Sequence, residues 1–230
     1  MKRSLLILYT GDDWTKRQPS EGTYSTVYRI WHTVCQQRGI ELHRASLRWF
    51  DGRRFTKHWR LSSGGAWDKV THPLLPDVVY DLTRSYDRAT GALLPLVHTQ
   101  RLAISRVTEI VNRPAFADLV DNKANMAVIF HGYMPRTTLR LPGDVVRNPR
   151  RRFVVLKGLE GSGGEQVTIT KRPLLHVTHP AVEQEFVAAT VGGVLRDVRI
   201  AFTGERVQYA YYRIARRGTL YTNVHFGARM

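Results

Sequence analysis

The sequence is poor in cysteine, poor in acidic residues and free of long apolar runs, and each deficit excludes a class of protein. Cys35 is the single cysteine among 230 residues, which excludes an internal disulfide framework and a cysteine-cluster metal site. No uninterrupted apolar run reaches the roughly 20 residues that cross a bilayer. The apolar start at Leu5 is interrupted at Gly11, which is too soon for a signal peptide. We therefore expect a cytoplasmic protein without a membrane partner, in which Cys35 is a buried packing residue.

Acidic residues number 19 against 35 lysines and arginines, so the formal net charge is +16. Such a charge attracts polyanions, among them nucleic acids, nucleotide phosphates and acidic protein tails. The basic residues are scattered along the chain, and only residues 147–152 form a dense basic run. Because no nucleic-acid motif of defined spacing is present, we interpret most of the charge as a solvated surface. A nucleic-acid-binding protein is therefore the last of the functions that we consider.

The first part of the chain has the pattern of a small α/β domain. Apolar residues from Leu5 to Thr10 predict a buried strand, and those from Tyr24 to Cys35 recur at helical spacing until Gly39. Further strands are predicted over residues 40–49 and 75–81, with a loop or short hairpin over 53–69. This order indicates a parallel sheet, whose carboxyl edge would hold residues 10–13 and 81–84. Those residues either contact a ligand or form solvated turns.

The middle and end of the chain combine helices with hairpins. Helical spacing between residues 97 and 130 is interrupted at Pro114, which predicts the first turn of a helix to about Val120. Asp121 or Asn122 is predicted to cap the next helix. Strands are predicted over 139–141 and 182–187, the second of a kind that joins two subdomains, and a hairpin is predicted around residues 203–205.

The segment from Phe153 to Thr170 carries the most specific pattern in the chain. A β-branched run ends on Lys157, a glycine-rich loop follows, and a second β-branched run leaves it. Three glycines in four positions let backbone N–H groups turn towards an anion. The segment lacks the Gly-Lys-Ser/Thr ending of a Walker A loop. A phosphate-binding loop and a plain hairpin with a glycine tip both remain open on these residues.

Nine short elements occur in a fixed order from about Pro76 onward. They are Pro76-Asp77, Asn112-Arg113-Pro114, Asn122-Lys123, Pro135-x-Thr137, Val155-x-Lys157 with Gly161 to Gly164, Gln184 to Val187, Asp197-Val-Arg199, Arg213, and Thr222 to Gly227. In this order and spacing the sequence resembles the ATP-grasp ligases, in particular the ribosomal-protein glutamate ligases and the glutathione synthetases. The resemblance implies an α+β ATP-grasp fold of two subdomains, preceded by a small α/β domain. The implied domains are 1–111, 112–182 and an incomplete 183–230.

The resemblance also implies a set of ATP-binding residues. They are Lys123, Lys157, Gly161, Ser162, Gly163, Gly164, Glu185, Phe186, Val187, Asp197 and Asn223. By resemblance, Lys123 reaches the phosphates, Lys157 lies near the α-phosphate and adenine, and the glycine loop closes over the phosphates. The backbone of residues 185–187 reads the adenine edge, Asp197 lies near the ribose, and Asn223 lies at the phosphate end.

The chemistry implied by the resemblance is ATP-dependent joining of a carboxylate to an amine through an acyl phosphate, with Arg213 as a catalytic cation. The partners would be ATP and an amino-acid, peptide or protein carboxylate with an amine, and we leave a homo-oligomer open. Other readings remain for single residues: Lys123 as a surface lysine, Arg213 paired with an acidic neighbour, Asp197 paired with Arg199, and His225 as a packing residue.

Two departures from the family pattern bear on activity. Relatives continue past the element that ends at Gly227 and bind magnesium there, so the family's Mg²⁺ ligands have no counterpart in this sequence. Tyr221 stands where relatives usually carry arginine, and Ala228 replaces a glycine. We therefore expect that the chain by itself is not a competent ligase. The alternative function is a truncated, inactive ATP-grasp module that binds a nucleotide or another polyanion.

Overall fold

The computed structural model describes residues 3–19, 25–83, 94–160, 166–222 and 227–230. The chain divides into two units, residues 1–87 with 92–118 and residues 88–91 with 119–230. Both units combine helices and sheets, as the α/β and α+β prediction requires. No helix in the described ranges is long and apolar enough to cross a bilayer.

The first unit is built on a six-stranded sheet. Its elements are β1 (Arg3–Tyr9), α1 (Ser25–Gln37), β2 (Ile40–Ser46), a 3-10 helix (Leu47–Trp49), β3 (His58–Leu61), β4 (Trp67–Val70), β5 (Val78–Asp81), α2 (Pro95–Ser105) and β6 (Glu109–Val111). The strand order is β4-β3-β2-β1-β5-β6. Strands β2, β1, β5 and β6 run parallel to one another, whereas β3 and β4 add an antiparallel extension.

The predicted strand–helix–strand pattern is confirmed, with one strand missed. Sequence spacing placed Glu109–Val111 inside a helical stretch, whereas the structure pairs it with β5 as the parallel edge strand β6. Three residues are too few to show a strand period, so only the pairing with β5 identifies them. The helix predicted to begin at Tyr24 is described from Ser25, and Cys35 lies on its buried face at 5% exposure. Burial also raises the pKa of the Cys35 thiol, consistent with a packing residue.

The polar segment 53–69 contributes more to the core than its composition suggests. It forms the β3–β4 hairpin, and its aromatic residues Phe55, Trp59 and Trp67 are buried at 5% exposure or less. They pack into one hydrophobic core with Leu6 and Ile7 of β1. Burial of such large rings stabilises the first unit even though the flanking residues are charged.

Asp13, at the carboxyl edge of the sheet, is a buried structural residue, not a ligand contact or a solvated turn. Its carboxylate accepts hydrogen bonds from the Tyr9 hydroxyl and from Trp59 Nε1, the latter at 3.1 Å. It also lies 3.3 Å from the Arg44 guanidinium, whose side chain is 5% exposed. The expectation for residues 10–13 is therefore corrected at Asp13, because a buried carboxylate needs internal partners.

Asp81, another carboxylate predicted at this edge, has the same kind of role. It accepts hydrogen bonds from the Thr83 backbone and hydroxyl at 2.7 Å each. It also pairs with Arg101 Nε at 2.5 Å, and both side chains are 3% exposed. The carboxylate therefore links α2 to the end of β5 through its ion pair with Arg101.

Two buried histidines make the first unit sensitive to pH. His43 on β2 and His58 on β3 are each 3% exposed, with ring centroids 4.8 Å apart. Burial, assisted by the charge of Arg60, lowers the pKa of His43 to about 4. Burial, with contributions from neighbouring histidines and Arg60, lowers the pKa of His58 to about 3. Both imidazoles are therefore neutral in the folded unit at pH values where the unfolded chain binds protons.

We predict that the first unit loses stability as the pH falls from about 6.5 towards 4. Because the folded pKa values lie below the ordinary 6.5, the unfolded state takes up more protons in this window, at about 1.4 kcal/mol per pH unit for each histidine. Urea unfolding followed by tryptophan emission measures this unit selectively. Its readout is selective because every tryptophan of the chain lies in it, at positions 14, 31, 49, 59 and 67.

Replacement of one buried ring separates this effect from other titrations. His58→Phe should lower the pH slope of the unfolding free energy between pH 6 and 5 by about 1.4 kcal/mol per pH unit, which is the contribution of one proton. His131→Phe, at an exposed histidine outside this unit, is the control and should leave the slope unchanged. An unchanged slope in His58→Phe would contradict the assignment.

The second unit is richer in strands. The helix α3 (Pro114–Asp121) spans the boundary between the units, and the following elements are α4 (Lys123–Ile129), β7 (Thr137–Arg140), β8 (Val145–Arg147), β9 (Val154–Gly158), β10 (Val167–Thr170), β11 (Leu174–His176), β12 (Ala181–Glu185), β13 (Thr190–Val191), β14 (Val194–Thr203) and β15 (Arg206–Ile214). They form a four-stranded sheet β10-β9-β12-β7, a pair β11-β8 and a three-stranded sheet β13-β14-β15.

Most elements predicted for this unit are confirmed. Asn122 caps α4, since its side-chain oxygen accepts from the backbone of Ala124 and Asn125 at 2.9 and 3.2 Å. The glycine-segment hairpin is present as antiparallel β9 and β10. The predicted strand over 182–187 is β12, which lies inside the four-stranded sheet between β9 and β7. The hairpin around residues 203–205 is β14–β15.

Candidate functional site

One face of the four-stranded sheet carries the lysine predicted at the end of the glycine-segment strand. Residues opposite each other in register share a face, so Lys157 of β9 lies on the same side as Val167 of β10 and Val182 of β12. Two residues further along β12, Gln184 lies on this side as well, opposite Thr137 of β7. We refer to these five residues as the lysine face.

A chain of hydrogen bonds holds the Lys157 ammonium on the lysine face. Lys157 Nζ donates to Gln184 Oε1 at 2.5 Å, and Gln184 Nε2 donates to Thr137 Oγ1 at 3.0 Å. The Thr137 hydroxyl donates in turn to the carbonyl of Pro135 at 2.7 Å. Both ends of the Gln184 amide are thus fixed, and the residue is 6% exposed. The ammonium group is therefore positioned by the sheet itself.

Lys123, the second predicted phosphate ligand, lies at the same end of β9. Its backbone N–H donates to the carbonyl of Leu159 at 2.9 Å, and its Nζ lies 3.4 Å from that same oxygen. Leu159 follows the last residue of β9, so the start of α4 is attached to the end of the strand that carries Lys157. The predicted glycine segment begins two residues later in the sequence.

The two ammonium groups lie close enough to influence each other. Burial is the largest cause that lowers the pKa of both Lys123 and Lys157, because a desolvated ammonium is less stable than a solvated one. The Glu160 carboxylate, 5% exposed, favours the charged form of Lys123, whereas the charge of Lys157 lowers the pKa of Lys123 further. Positive charge is therefore concentrated at the end of β9 and only partly balanced by Glu160.

Asp197 and Arg213 form an ion pair across the β14–β15 hairpin. They lie opposite each other in register, and Arg213 Nε donates to Asp197 Oδ1 at 2.8 Å while Nη2 donates to Oδ2. Burial opposes ionisation of Asp197, but hydrogen bonds from Arg213 and Thr222 outweigh it, so the pKa of this carboxyl is lowered. The reading in which Arg213 pairs with an acidic neighbour describes the structure, and that neighbour is Asp197. The bidentate partner of Asp197 is Arg213, not Arg199.

The residues just before position 223 connect this ion pair with the glycine-segment hairpin. Thr222 Oγ1 donates to Asp197 Oδ2 at 2.8 Å. The neighbouring Tyr221 hydroxyl lies 3.4 Å from both the Val167 carbonyl and the Ile169 amide of β10. Tyr221, which stands where relatives usually have arginine, therefore binds the edge strand through its hydroxyl.

The linking-strand residues 185–187 lie at the far end of β12 from Val182. The Glu185 N–H donates to the Arg136 carbonyl at 2.9 Å and is thus used within the fold. The Phe186 ring packs against Phe153 with centroids 5.3 Å apart, and Val187 is 63% exposed.

Some predicted positions lie outside the described residues: Gly161, Ser162, Gly163, Gly164, Asn223 and His225. Sequence reasoning gave no role to Gln184, Thr137, Glu160, Thr222 or Tyr221, although all five contact or neighbour the predicted residues. Gln184 and Thr137 were within elements quoted for the resemblance. Their side-chain roles depend on strand register, which the sequence does not display.

We predict that Gln184→Leu destabilises the second unit by about 1–3 kcal/mol, because it leaves the Lys157 ammonium and the Thr137 hydroxyl without their buried partner. Urea unfolding followed by far-UV circular dichroism measures the loss, with tryptophan emission as an internal reference for the first unit. Thr138→Val, at the adjacent exposed position of β7, is the control and should change stability by less than about 0.5 kcal/mol. Equal stability of the two variants would contradict a structural role for the Gln184 amide.

Comparison with solved structures identifies the fold. D-alanyl-alanine synthetase A from Vibrio cholerae is 12% identical with a TM-score of 0.51, over 96% of this chain and 70% of that one. D-cycloserine synthetase DcsG is 14% identical with a TM-score of 0.53, over 90% and 66% of the two chains. The ADP complex of N5-carboxyaminoimidazole ribonucleotide synthetase is 11% identical with a TM-score of 0.50, over 95% and 56%.

No protein-family model and no curated protein matches the sequence. The similarity to these solved structures therefore concerns the fold and does not distinguish a glutamate ligase or a glutathione synthetase from other subfamilies. All three structures belong to ATP-grasp enzymes, and the match extends over nearly the whole of this chain. The chain has the ATP-grasp fold.

Proposed function

We propose that the second unit binds ATP on the lysine face and that the protein joins a carboxylate to an amine through an acyl phosphate. The observation that carries this proposal is the pair of partly buried ammonium groups, Lys123 and Lys157, at the end of β9. Charges in a partly desolvated site act more strongly on a phosphate than charges in bulk water. The solved structures of similar fold are synthetases, and one of them is an ADP complex.

The arrangement of the sheet supports one position for the nucleotide. Its phosphates would lie at the Lys123–Lys157 end of β9, and by the family resemblance Gly161, Ser162, Gly163 and Gly164 would also bind them. The adenine would lie towards the end of β12, where the Glu185 carbonyl and the backbone of Phe186 and Val187 supply acceptors and donors. Lys157 would contact the nucleotide without moving far, because Gln184 already holds its ammonium.

Asp197 and Arg213 act as one unit in this proposal. The Arg213 guanidinium keeps the Asp197 carboxylate ionised, so the carboxylate can accept hydrogen bonds from the ribose hydroxyls. Arg213 is thereby a positioning residue in place of the free catalytic cation expected from the sequence. Asn223 follows Thr222, which bonds to Asp197, and would contact the phosphate end.

The proposed reaction has two displacement steps. An oxygen of the substrate carboxylate attacks the γ-phosphorus of ATP, the bond from that phosphorus to the β,γ-bridging oxygen breaks, and ADP leaves. An amine nitrogen then attacks the carbonyl carbon of the acyl phosphate, the carbon–oxygen bond to phosphate breaks, and the amine loses a proton. Lys123 and Lys157 stabilise the negative charge of the ATP phosphates, and charge neutralisation is the main requirement of phosphoryl transfer.

Magnesium, which the family resemblance implies, has no ligand set in the described part of the chain. No three histidine, cysteine, aspartate or glutamate side chains there form a group that could hold a metal ion. Asp197 already accepts hydrogen bonds from Arg213 and Thr222. The described ranges therefore supply no such group of three ligands, and no step of the proposed reaction is assigned to a metal.

We predict that ATP stabilises the second unit and that Lys157→Ala reduces this stabilisation, because it removes a phosphate contact on the lysine face. At 100 times its dissociation constant a ligand raises the unfolding free energy by about 2.7 kcal/mol. Loss of one charged contact to a phosphate should weaken the binding of ATP about tenfold or more, because a charge-assisted hydrogen bond contributes about 1.5–3 kcal/mol. Thermal unfolding and titration calorimetry with ATP measure both quantities.

Lys171→Ala is the matched control, since Lys171 is an exposed lysine of the same unit beyond β10. It should keep the ATP affinity of the unchanged protein within about twofold, because an exposed charge outside the site contributes little. Equal ATP affinity in Lys157→Ala and the unchanged protein would contradict the nucleotide site on the lysine face.

Turnover separates the ligase from the alternative function, an inactive nucleotide- or polyanion-binding module. The Arg213–Asp197 ion pair favours that alternative, because the Arg213 guanidinium is bound to Asp197 and is not a free catalytic cation. Phosphate release from ATP with pooled amino-acid and peptide carboxylates, and hydroxylamine trapping of an acyl phosphate, report on the chemistry. ATP binding through Lys157 without any trapped hydroxamate would support the inactive module; a Lys157-dependent hydroxamate would support the ligase.

A further inference from the structure

The basic run singled out in the sequence forms one wall of a pocket whose arginines have no role in the proposed reaction. The pocket has a volume of about 450 Å³, and five arginines line it together with Asn148, Phe153, Glu183 and Glu185. We refer to the five arginines and their cavity as the arginine pocket: Arg136, Arg140, Arg147, Arg150 and Arg152. A volume of this size is typical of small-molecule sites.

The arginine pocket and the lysine face belong to opposite sides of the same sheet. Side chains alternate along a strand, so Glu183 and Arg140 point away from the side that carries Gln184 and Thr137. Glu183 and Arg140 bind each other through Arg140 Nε and Nη2 at 2.8 and 2.6 Å. Glu183 and Arg140 therefore lie on the face opposite Lys157, while Gln184 and Glu185 of β12 border both regions.

The turn that carries Arg150 and Arg152 is held in place by one buried side chain. Asn148 is 6% exposed, and its Nδ2 donates to the Arg152 carbonyl at 2.7 Å while its Oδ1 accepts from the Arg152 N–H at 3.2 Å. Its backbone N–H is bound to the Pro173 carbonyl at 2.8 Å. Arg151 adopts a left-handed φ of 47° within this turn. The arginines are thus presented by an ordered turn, not by a random basic tail.

Four of the five arginines have no acidic partner within the described residues. Arg140 is paired with Glu183, but no carboxylate in the described ranges lies within 4.0 Å of the charged groups of Arg136, Arg147, Arg150 or Arg152. The lining carries five arginines and two glutamates, which leaves an excess of three positive charges. Like charges that converge on one cavity repel each other, and a bound polyanion removes that repulsion.

We propose that the arginine pocket binds a linear polyphosphate group, either free or as the tail of a nucleotide. Guanidinium groups match phosphate oxygens with paired N–H donors, and adjacent phosphates carry several charges in a small volume. A single carboxylate would leave most of the excess charge of the pocket uncompensated.

The pocket's one aromatic ring indicates that the phosphates, not a base, are recognised. The Phe153 ring already packs on Phe186 at 5.3 Å and under the Lys171 ammonium at 4.3 Å from the ring centroid. Stacking of a nucleobase on Phe153 would displace these contacts. Inorganic tripolyphosphate should therefore bind the arginine pocket about as tightly as ATP does.

Titration calorimetry with inorganic tripolyphosphate in a Lys157→Ala background tests this inference apart from the proposed ATP site. The double variant Arg150→Ala with Arg152→Ala should weaken the binding of tripolyphosphate at least tenfold. The control, Arg216→Ala with Arg217→Ala, removes two exposed arginines outside the pocket and should change the affinity less than twofold. Arg150→Lys with Arg152→Lys keeps the charge and should still weaken binding, because it loses the paired donors.

Further ligands distinguish the sources of the anion in the same background. The affinity of ATP should lie within about threefold of that of tripolyphosphate, and citrate should bind at least tenfold more weakly than tripolyphosphate at equal ionic strength.

Equal loss of tripolyphosphate affinity in the two double alanine variants, at positions 150 and 152 and at positions 216 and 217, would overturn the inference. Citrate binding as tight as that of tripolyphosphate would also overturn it. So would ATP tenfold tighter than tripolyphosphate, or single-stranded RNA 100-fold tighter with the same arginine dependence, the latter indicating a nucleic-acid surface. Tripolyphosphate binding that is present in the unchanged protein and lost with Lys157→Ala alone would place the anion on the lysine face and leave the proposed ATP site intact.

Discussion

The second unit depends on keeping two ammonium groups charged while they are partly removed from water. Burial lowers the pKa of Lys123 and Lys157, and each is held by polar atoms of the fold: Lys157 by the Gln184 amide and Lys123 by the Leu159 carbonyl. Desolvated cations are costly in the absence of an anion. In the proposed nucleotide site the same cost would favour phosphate binding, because the charges need no reorientation when a phosphate arrives.

The four-stranded sheet separates two cationic regions. The lysine face carries a single charged side chain, Lys157, which is partly buried. The arginine pocket on the other side carries five arginines, most of which are exposed. Buried and exposed charges respond differently to salt, since water and ions screen the second kind far more strongly. Three arginines of the pocket, Arg147, Arg150 and Arg152, come from the one dense basic run of the sequence.

Local sequence patterns predicted the secondary-structure elements better than they predicted the tertiary contacts of individual side chains. The cap at Asn122 and the hairpins at β9–β10 and β14–β15 follow from rules that involve a few neighbouring residues, and the structure confirms them. Asp13 and Asp81 were placed correctly at the ends of strands, but their partners come from other elements. No local rule indicates whether such a carboxylate faces a ligand, solvent or a buried arginine.

The sequence by itself determined many of the elements, the glycine-segment hairpin and, through its resemblance to ATP-grasp ligases, the fold. Hydrophobic period, turn residues and caps act over short distances, so they can be read from the chain. Only the tertiary structure decided that Lys157 binds Gln184, that Arg213 binds Asp197, and that the arginines around residue 150 line one pocket. These contacts join residues that are up to tens of positions apart in the sequence, and they depend on strand register. A shift of the register by one residue would turn every side chain of a strand to the other face of the sheet.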